Sequence, residues 1–419
     1  MKDEGRSVFG LRLLAPLVLL SLAVFATGCW DLREVEDLGF AVATAVDTVP
    51  LGEVRLLVQV INPRALGGGP RGGVTAGASI PAKPYRNYET VGRTVFDAMR
   101  ELSLNVPKKL YFAQNREILF TEKMAQKGLG EIIDFFDRSV QIRKLAYVLV
   151  VKGKMEEVME PPGALAASPA LRIEGIMRHQ HMANHYPMVS LGDFLGFLAA
   201  GGQEAYCPVI RLEKNPTQTL RPHEPAPLAP EPYLQIKIAG TALFRKDKLV
   251  GFLNEHETRG LLWTQGKVQG GHLDIPCPSG KGKVSLEILR SKARMKPEIA
   301  GDGRLRVTVK IREEANLVET GCPLDVGKVE VIKQLETLQA RVIEREVTDA
   351  VRRAQEYKSD AFGFGAAFHR RYPRQWREMK DAWAEEFFPE VEVKVVADTK
   401  IRRTNLRTKP LILERKFKY

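Results

Sequence analysis

Cys29 is the residue of this 419-residue chain best placed to do chemistry. A cysteine thiolate is a nucleophile able to take a diacylglyceryl group. The three residues before it, Ala26, Thr27 and Gly28, are small enough for the narrow cleft of a signal peptidase. Upstream, residues 1–12 carry Lys2, Arg6 and Arg12 against Asp3 and Glu4, and residues 13–26 are apolar apart from Pro16 and Ser21. A charged start, a short apolar core and a small-residue exit make a secretory signal, too short for a comfortable membrane span. The pattern reads as a bacterial lipobox. Cleavage falls between Gly28 and Cys29, and Cys29 becomes the mature N-terminus with an N-palmitoyl, S-diacylglycerol modification. Ala26 stands where such boxes usually have Leu.

Other constellations carry less chemistry. Residues 67–72 read GGGPRG and match G-x-G-x-x-G after a strand, but Pro70 interrupts them and no helix follows. A phosphate cradle needs a helix N-terminus whose N–H groups face the anion, so this reads as a loop. His179, His181 and His185 are three of seven histidines, with His181 and His185 four apart. On one helix face that spacing can hold zinc, yet no H-E-x-x-H or nearby cysteine accompanies it, and a solvated polar face is the expectation. Residues 279–283, SGKGK, lack Walker spacing. With no nucleophile elbow or paired carboxylates, the chain reads as a non-enzyme without cofactor or metal. Residues 360–365, DAFGFG, stand before Phe368, Trp376 and Trp383. They read as a helix start capped by Asp360, with a partner-docking surface as the second account.

After Cys29, the cysteines Cys207, Cys277 and Cys322 are far apart and each precedes a proline. Buried free thiols are the expectation, although an exported chain also allows one disulfide among them. Apolar content of 44% and charged content of 27% fit a globular chain. No second apolar run reaches the ~18 residues of a membrane helix. The net charge of +12 suits an anionic bilayer or acidic partner. Export and the absence of a nucleic-acid motif argue against nucleic acid.

The elements that position these residues follow hydrophobic periodicity. Strands are expected at 38–49, 53–61, 110–120 and 145–152, the last apolar throughout and so buried on both faces. Helices are expected at 90–104, 123–138, 168–185 and 191–200. Residues 215–232 carry six prolines and read as a linker. Beyond it, strands are expected at 234–244, 248–253, 270–276, 282–292, 304–315 and 391–401. Helices are expected at 254–263, 325–357, 359–371 and 373–384. The fold class is mixed α/β with two to three domains. Residues 1–28 are a signal peptide, 29–214 an N-terminal domain, and 233–419 a C-terminal domain divisible at 283/284. In the last, a long helix packs on a mixed sheet.

The segment GCWDLREVEDLGF at 28–40 resembles the mature start of the C-subunit lipoproteins of bacterial spore germinant receptors, the Ger(x)C family. The likeness continues in GRTVFDAMRELS at 92–103, KLYFAQNREILF at 109–120 and GTALFRKDKLVGFLNEHETRGLLW at 240–263. It ends with SDAFGFGAAFHRRYPRQWREMKDAW at 359–383 and IRRTNL at 401–406, where Asn405 replaces a usual Gly. The resemblance implies a three-domain α/β lipoprotein without catalytic residues, anchored on the outer face of the spore inner membrane. Its implied partners are a germinant receptor's A and B membrane subunits. The other reading is a substrate-binding lipoprotein delivering a small ligand to a transporter. That needs two similar halves around a hinge, and the two halves of this chain are unlike.

Overall fold

A computed structural model describes residues 34–62, 83–160, 166–214 and 234–403. Cys29, the glycine-rich loop, the proline-rich linker and the basic tail lie outside them. Met1–Leu38 and Gly39–Tyr419 are two units. Among the described residues, no helix is long and apolar enough to cross a membrane.

The chain runs β1 (Leu38–Thr48), β2 (Val54–Ile61), β3 (Tyr85–Gly92), α1 (Val95–Asn105), β4 (Lys109–Tyr111), β5 (Glu117–Thr121), α2 (Glu122–Lys127), α3 (Gly130–Arg138) and β6 (Tyr147–Lys152). It continues with α4 (Met155–Met159), α5 (Pro169–Arg178), α6 (Leu191–Ala199), β7 (Tyr206–Lys214), β8 (Leu234–Arg245), β9 (Lys248–Leu253) and α7 (Glu255–Thr264). The last part is β10 (His272–Pro276), β11 (Lys283–Ile299), β12 (Leu305–Thr320), α8 (Val329–Glu356), α9 (Phe364–Arg371), α10 (Pro373–Met379) and β13 (Glu392–Arg403).

The first sheet has the order β3-β2-β1-β5-β6-β7-β8-β9, with β4 also on β1. Its centre, β1-β5-β6-β7, is parallel, and antiparallel strands flank it on both sides. The apolar strand at 145–152 is β6. Val148 and Val150 face one core, and Leu149 and Val151 face the other, which explains its unbroken apolar run. β7 and β8 lie on either side of residues 215–232 and pair with each other. The first sheet therefore takes strands from both halves of the chain. The division at 283/284 falls within β11, which pairs with β10.

Several boundaries differ from the sequence expectation, for local reasons. Residues 85–92 form β3, and the helix expected from 90 starts at Val95. Thr94 caps it, its Oγ1 accepting from the Asp97 N–H at 3.1 Å. The strand expected at 110–120 is interrupted by a 3-10 turn at Phe112–Gln114. The helix expected at 123–138 breaks at Gly128, whose φ of +123° no helix accommodates. β7 shows no periodicity because both of its faces are covered: Tyr206, Cys207 and Val209 pack in one core and Ile210 in the other.

The second sheet, β10-β11-β12-β13, covers α8. Its inner side presents Val284, Leu286, Val307, Val309 and Ile311, all buried. α8 answers with Leu335, Ile343, Val347 and Val351. β13 is an edge strand, and α8 satisfies part of its backbone. Glu336 Oε1 accepts from the Ile401 N–H at 3.1 Å, and Glu344 Oε1 from the Ala397 N–H at 3.0 Å. Such cover blunts edge-to-edge pairing.

The cysteines correct the free-thiol expectation. Cys277 and Cys322 form a disulfide, with Cα atoms 6.4 Å apart. The register that pairs Val284 with Thr320 and Lys283 with Pro276 brings the ends of β10 and β12 together across β11. A link spanning 45 residues contributes roughly 4 kcal/mol in the chain-entropy account. Cys207 is free and buried, and burial pushes its thiol pKa up, so it is unreactive.

Leu335 is fully buried between α8 and the second sheet. Leu335→Asp should therefore lower stability by several kcal/mol, since an unpaired carboxylate loses its hydration there. Lys333→Ala, on the exposed face, should shift it by less than about 0.5 kcal/mol. Urea denaturation checks both, and equal midpoints for the two variants would contradict this packing.

Candidate functional site

The residues expected to carry chemistry do not converge. Gly28 and Cys29 lie outside the described residues, as does the GGGPRG loop at 67–72. The histidines share no helix face, because α5 stops at Arg178. His179 Nδ1 sits 2.7 Å from the Gly175 carbonyl, and His181 lies in a 3-10 turn. His185 Nδ1 approaches Glu255 Oε2 at 3.3 Å, and burial lowers its pKa. Glu255 also meets Lys237 at 2.9 Å. Residues 279–283 turn the chain from β10 into β11.

The DAFGFG segment is a buried hub. Asp360 is fully buried, as are Phe364 and Phe368, with Phe362, Trp376 and Trp383 nearly so. Asp360 Oδ1 accepts from the N–H groups of Gly363 and Phe364 at 2.9 and 3.1 Å. Its Oδ2 accepts from Gly365 N–H at 2.8 Å and Trp383 Nε1–H at 3.0 Å. The three backbone groups are orphan donors at the start of α9. Burial pushes the carboxyl up to about 6 against the pull of these four donors. It is thus ionised at neutral pH. Gly363 takes a left-handed φ of +76°, and a Cβ on Gly365 would lie 2.7 Å from Trp383 Nε1. The helix expected from 359 starts at Phe364, with Gly363 as its N-cap residue, and Asp360 satisfies its first N–H groups from three residues upstream. The aromatic side chains face inward, which removes the docking-surface account.

A second polar cluster was not anticipated. Arg259 of α7 and Glu346 of α8 are both buried and form a two-pronged pair. Arg259 Nε donates to Glu346 Oε2 at 2.9 Å, and a second bond joins Nη2 to Oε1. Trp263 Nε1 donates to the same Oε2 at 2.9 Å, and Arg259 Nη1 donates to the His272 carbonyl at 3.0 Å. Burial opposes ionisation of Glu346, but bonds from Arg259, His256 and Trp263 outweigh it and lower its pKa. Gly260 lets the helices touch: a Cβ there would collide with the Glu346 carbonyl. The available signal was positional, since Gln339 and Glu346 fall on the apolar stripe of α8.

Two further carboxyls are buried without a cation. Glu313 of β12 takes a hydrogen bond from Gln339 Nε2, and each partner keeps one oxygen unbonded. Burial, aided by the neighbouring Glu314 charge, raises the Glu313 pKa to about 8. Glu117 of β5 has neither carboxyl oxygen bonded, and burial, then the Glu174 charge, pushes it well above the usual range. Neutral carboxyls fit both places. Among the described residues, no group of three or more His, Cys, Asp or Glu is arranged to hold a metal.

Comparison with known proteins accounts for this architecture. The model of the spore germination protein N-terminal domain matches residues 31–212. That of the spore germination B3/GerAC-like C-terminal family matches residues 239–405. The chain belongs to this spore germination family. Spore germination protein KC of Bacillus subtilis is 29% identical over 95% of this chain and 97% of its own length. Spore germination protein B3 of the same species is 24% identical over 92% of this chain and 96% of its own. The crystal structure of the GerBC protein shares the fold, with a TM-score of 0.53 and 19% identity over 88% of this chain and 99% of that one. In this chain, the segment matched by the C-terminal model holds both buried hubs, Arg259–Glu346 and Asp360.

The raised Glu313 pKa sets a pH dependence. Its contribution is fully present below the unfolded value of about 4.3 and is lost as pH rises through about 8. Glu313→Gln keeps the shape without the titration. From pH 5 to pH 8 the variant should gain roughly 2–4 kcal/mol on the wild type, read by urea denaturation at each pH. Parallel stability curves would show that Glu313 does not titrate in this way.

Proposed function

We propose that the chain is the lipid-anchored C subunit of a nutrient germinant receptor, needed for spore germination, with a docking role and no catalytic one. Its end-to-end similarity to spore germination proteins carries this reading: two family models match in order on either side of residues 215–232. The anchor is Cys29, which holds the chain on the outer face of the spore inner membrane beside the receptor's A and B membrane subunits. The Cys277–Cys322 disulfide supports export, since such links persist outside the reducing cytosol. The two buried hubs bind helix to helix and cap a helix start, which are scaffold duties.

The test uses a spore-forming host whose other receptor genes are removed. The wild-type chain should incorporate a fatty-acid analogue, sediment with spore membranes and support germination by nutrients. Cys29→Ala should lose the label and most of the nutrient response, while a nutrient-independent trigger still works. Equal labelling of the variant would remove the anchor. Full nutrient germination without the gene would remove the function.

A further inference from the structure

A groove of about 790 Å³ runs between α1 and α3 of the first sheet. Phe96, Met99, Phe135 and Val140 form its apolar walls, and Arg100, Lys108, Lys109 and Arg138 supply positive charge. Among the described residues, none of those lining it is acidic. Arg100 lies over the Phe96 ring at 5.0 Å, and Arg138 is paired with Asp134 at 2.7 Å.

The surface beside the groove is unusual for a water-facing one. Val140 is 100% exposed, Leu145 78% and Leu104 77%. These are the three most exposed large apolar side chains among the described residues. Leu104 follows the groove residue Ser103, and Val140 and Leu145 share the loop that joins α3 to β6. Protruding apolar side chains ringed by cations match the boundary between anionic headgroups and acyl chains.

The first residues of β1 lie beside this face. β1 begins against the groove rim: a Cβ on Gly39 would lie 3.5 Å from both Leu110 Cδ2 and Lys108 Cβ. Phe40 meets Tyr111 edge-on, with ring centres 6.0 Å apart. Nine residues lie between Cys29 and Gly39, a span of at most about 35 Å. A lipid on Cys29 thus leaves this face free to reach the bilayer.

We propose that the α1–α3 groove and the 139–146 loop form a membrane-contacting face that seats anionic lipid headgroups and dips Val140 and Leu145 into the acyl boundary. It rests on the anchored reading above, but its chemistry is independent of the lipid on Cys29. A second basic area serves as a control. On the second sheet Lys292 stands opposite Arg312, and Arg294 opposite Lys310, all exposed. Of the exposed large apolar residues described, Val396 alone stands opposite them, across from Lys310.

The test uses the whole mature chain carrying Cys29→Ser, so that no lipid is attached. It is sedimented with vesicles of phosphatidylglycerol and phosphatidylcholine, or of phosphatidylcholine alone. The chain should bind the anionic vesicles and largely ignore the neutral ones. Arg100→Gln with Lys109→Gln should weaken binding roughly 25-fold, at about fivefold per cation. Val140→Ser with Leu145→Ser should weaken it severalfold at unchanged charge. Lys292→Gln with Lys310→Gln, the same charge change elsewhere, should leave it near wild type. All six positions are exposed, and circular dichroism confirms folding. Equal loss from the second-sheet pair would reduce the effect to net charge and overturn the assignment. No vesicle binding, with groove variants that still impair nutrient germination in spores, would overturn it in favour of a protein contact.

Discussion

Glu346 carries its charge into the interior, and Arg259 is the cation that keeps it there. The pair joins α7, which follows the β8–β9 hairpin of the first sheet, to α8, which the second sheet covers. Breaking one partner of such a buried pair costs about 3–5 kcal/mol, because the other is left charged and dry. That is a large share of a typical folding margin of 5–15 kcal/mol. Trp263 and the glycine contact at Gly260 fix the angle at which the two helices meet. Asp360 supplies a second tie of the same kind. Ser359 Oγ donates to the Phe244 carbonyl at 2.6 Å, and Glu204 N–H donates to the Asp360 carbonyl at 2.9 Å. The start of α9 is thereby pinned to the first sheet.

Much of the fold was legible because burial follows period. β1, β2, β6, β8 and β9 match the expected strands, and α7 and α8 the expected helices, within a few residues. The long α8 was evident from one apolar stripe. The misses share a cause: tertiary contacts overrode local pattern. β3 becomes a strand by pairing with β2, although its sequence runs on into helical periodicity. β7 is covered on both faces and shows no alternation. The disulfide could not be read from spacing, because the β10–β11–β12 register, and not distance along the chain, brings Cys277 to Cys322.

The candidate site was less legible than the fold. A lipobox is a linear signal, so the proposal of Cys29 as the anchor rests on sequence alone. The DAFGFG segment also drew attention by composition, but only the structure shows its aromatic rings turned inward around Asp360. Arg259, Glu346, Glu313 and Gln339 are polar residues on apolar faces, and sequence cannot say which partner meets which. What emerges is a fold whose buried polar groups hold its layers together. Its exposed basic and apolar surfaces are left for contact.

Of the ties between the two sheets, cooperative unfolding depends most on the Arg259–Glu346 pair. Scanning calorimetry of the mature chain and of Arg259→Ala tests it most directly. The wild type should melt in one transition with equal calorimetric and van't Hoff enthalpies. Arg259→Ala should lose about 3–5 kcal/mol and split into two transitions, one for each sheet. Two transitions in the wild type, or a variant that melts as a single unit at the wild-type temperature, would contradict it.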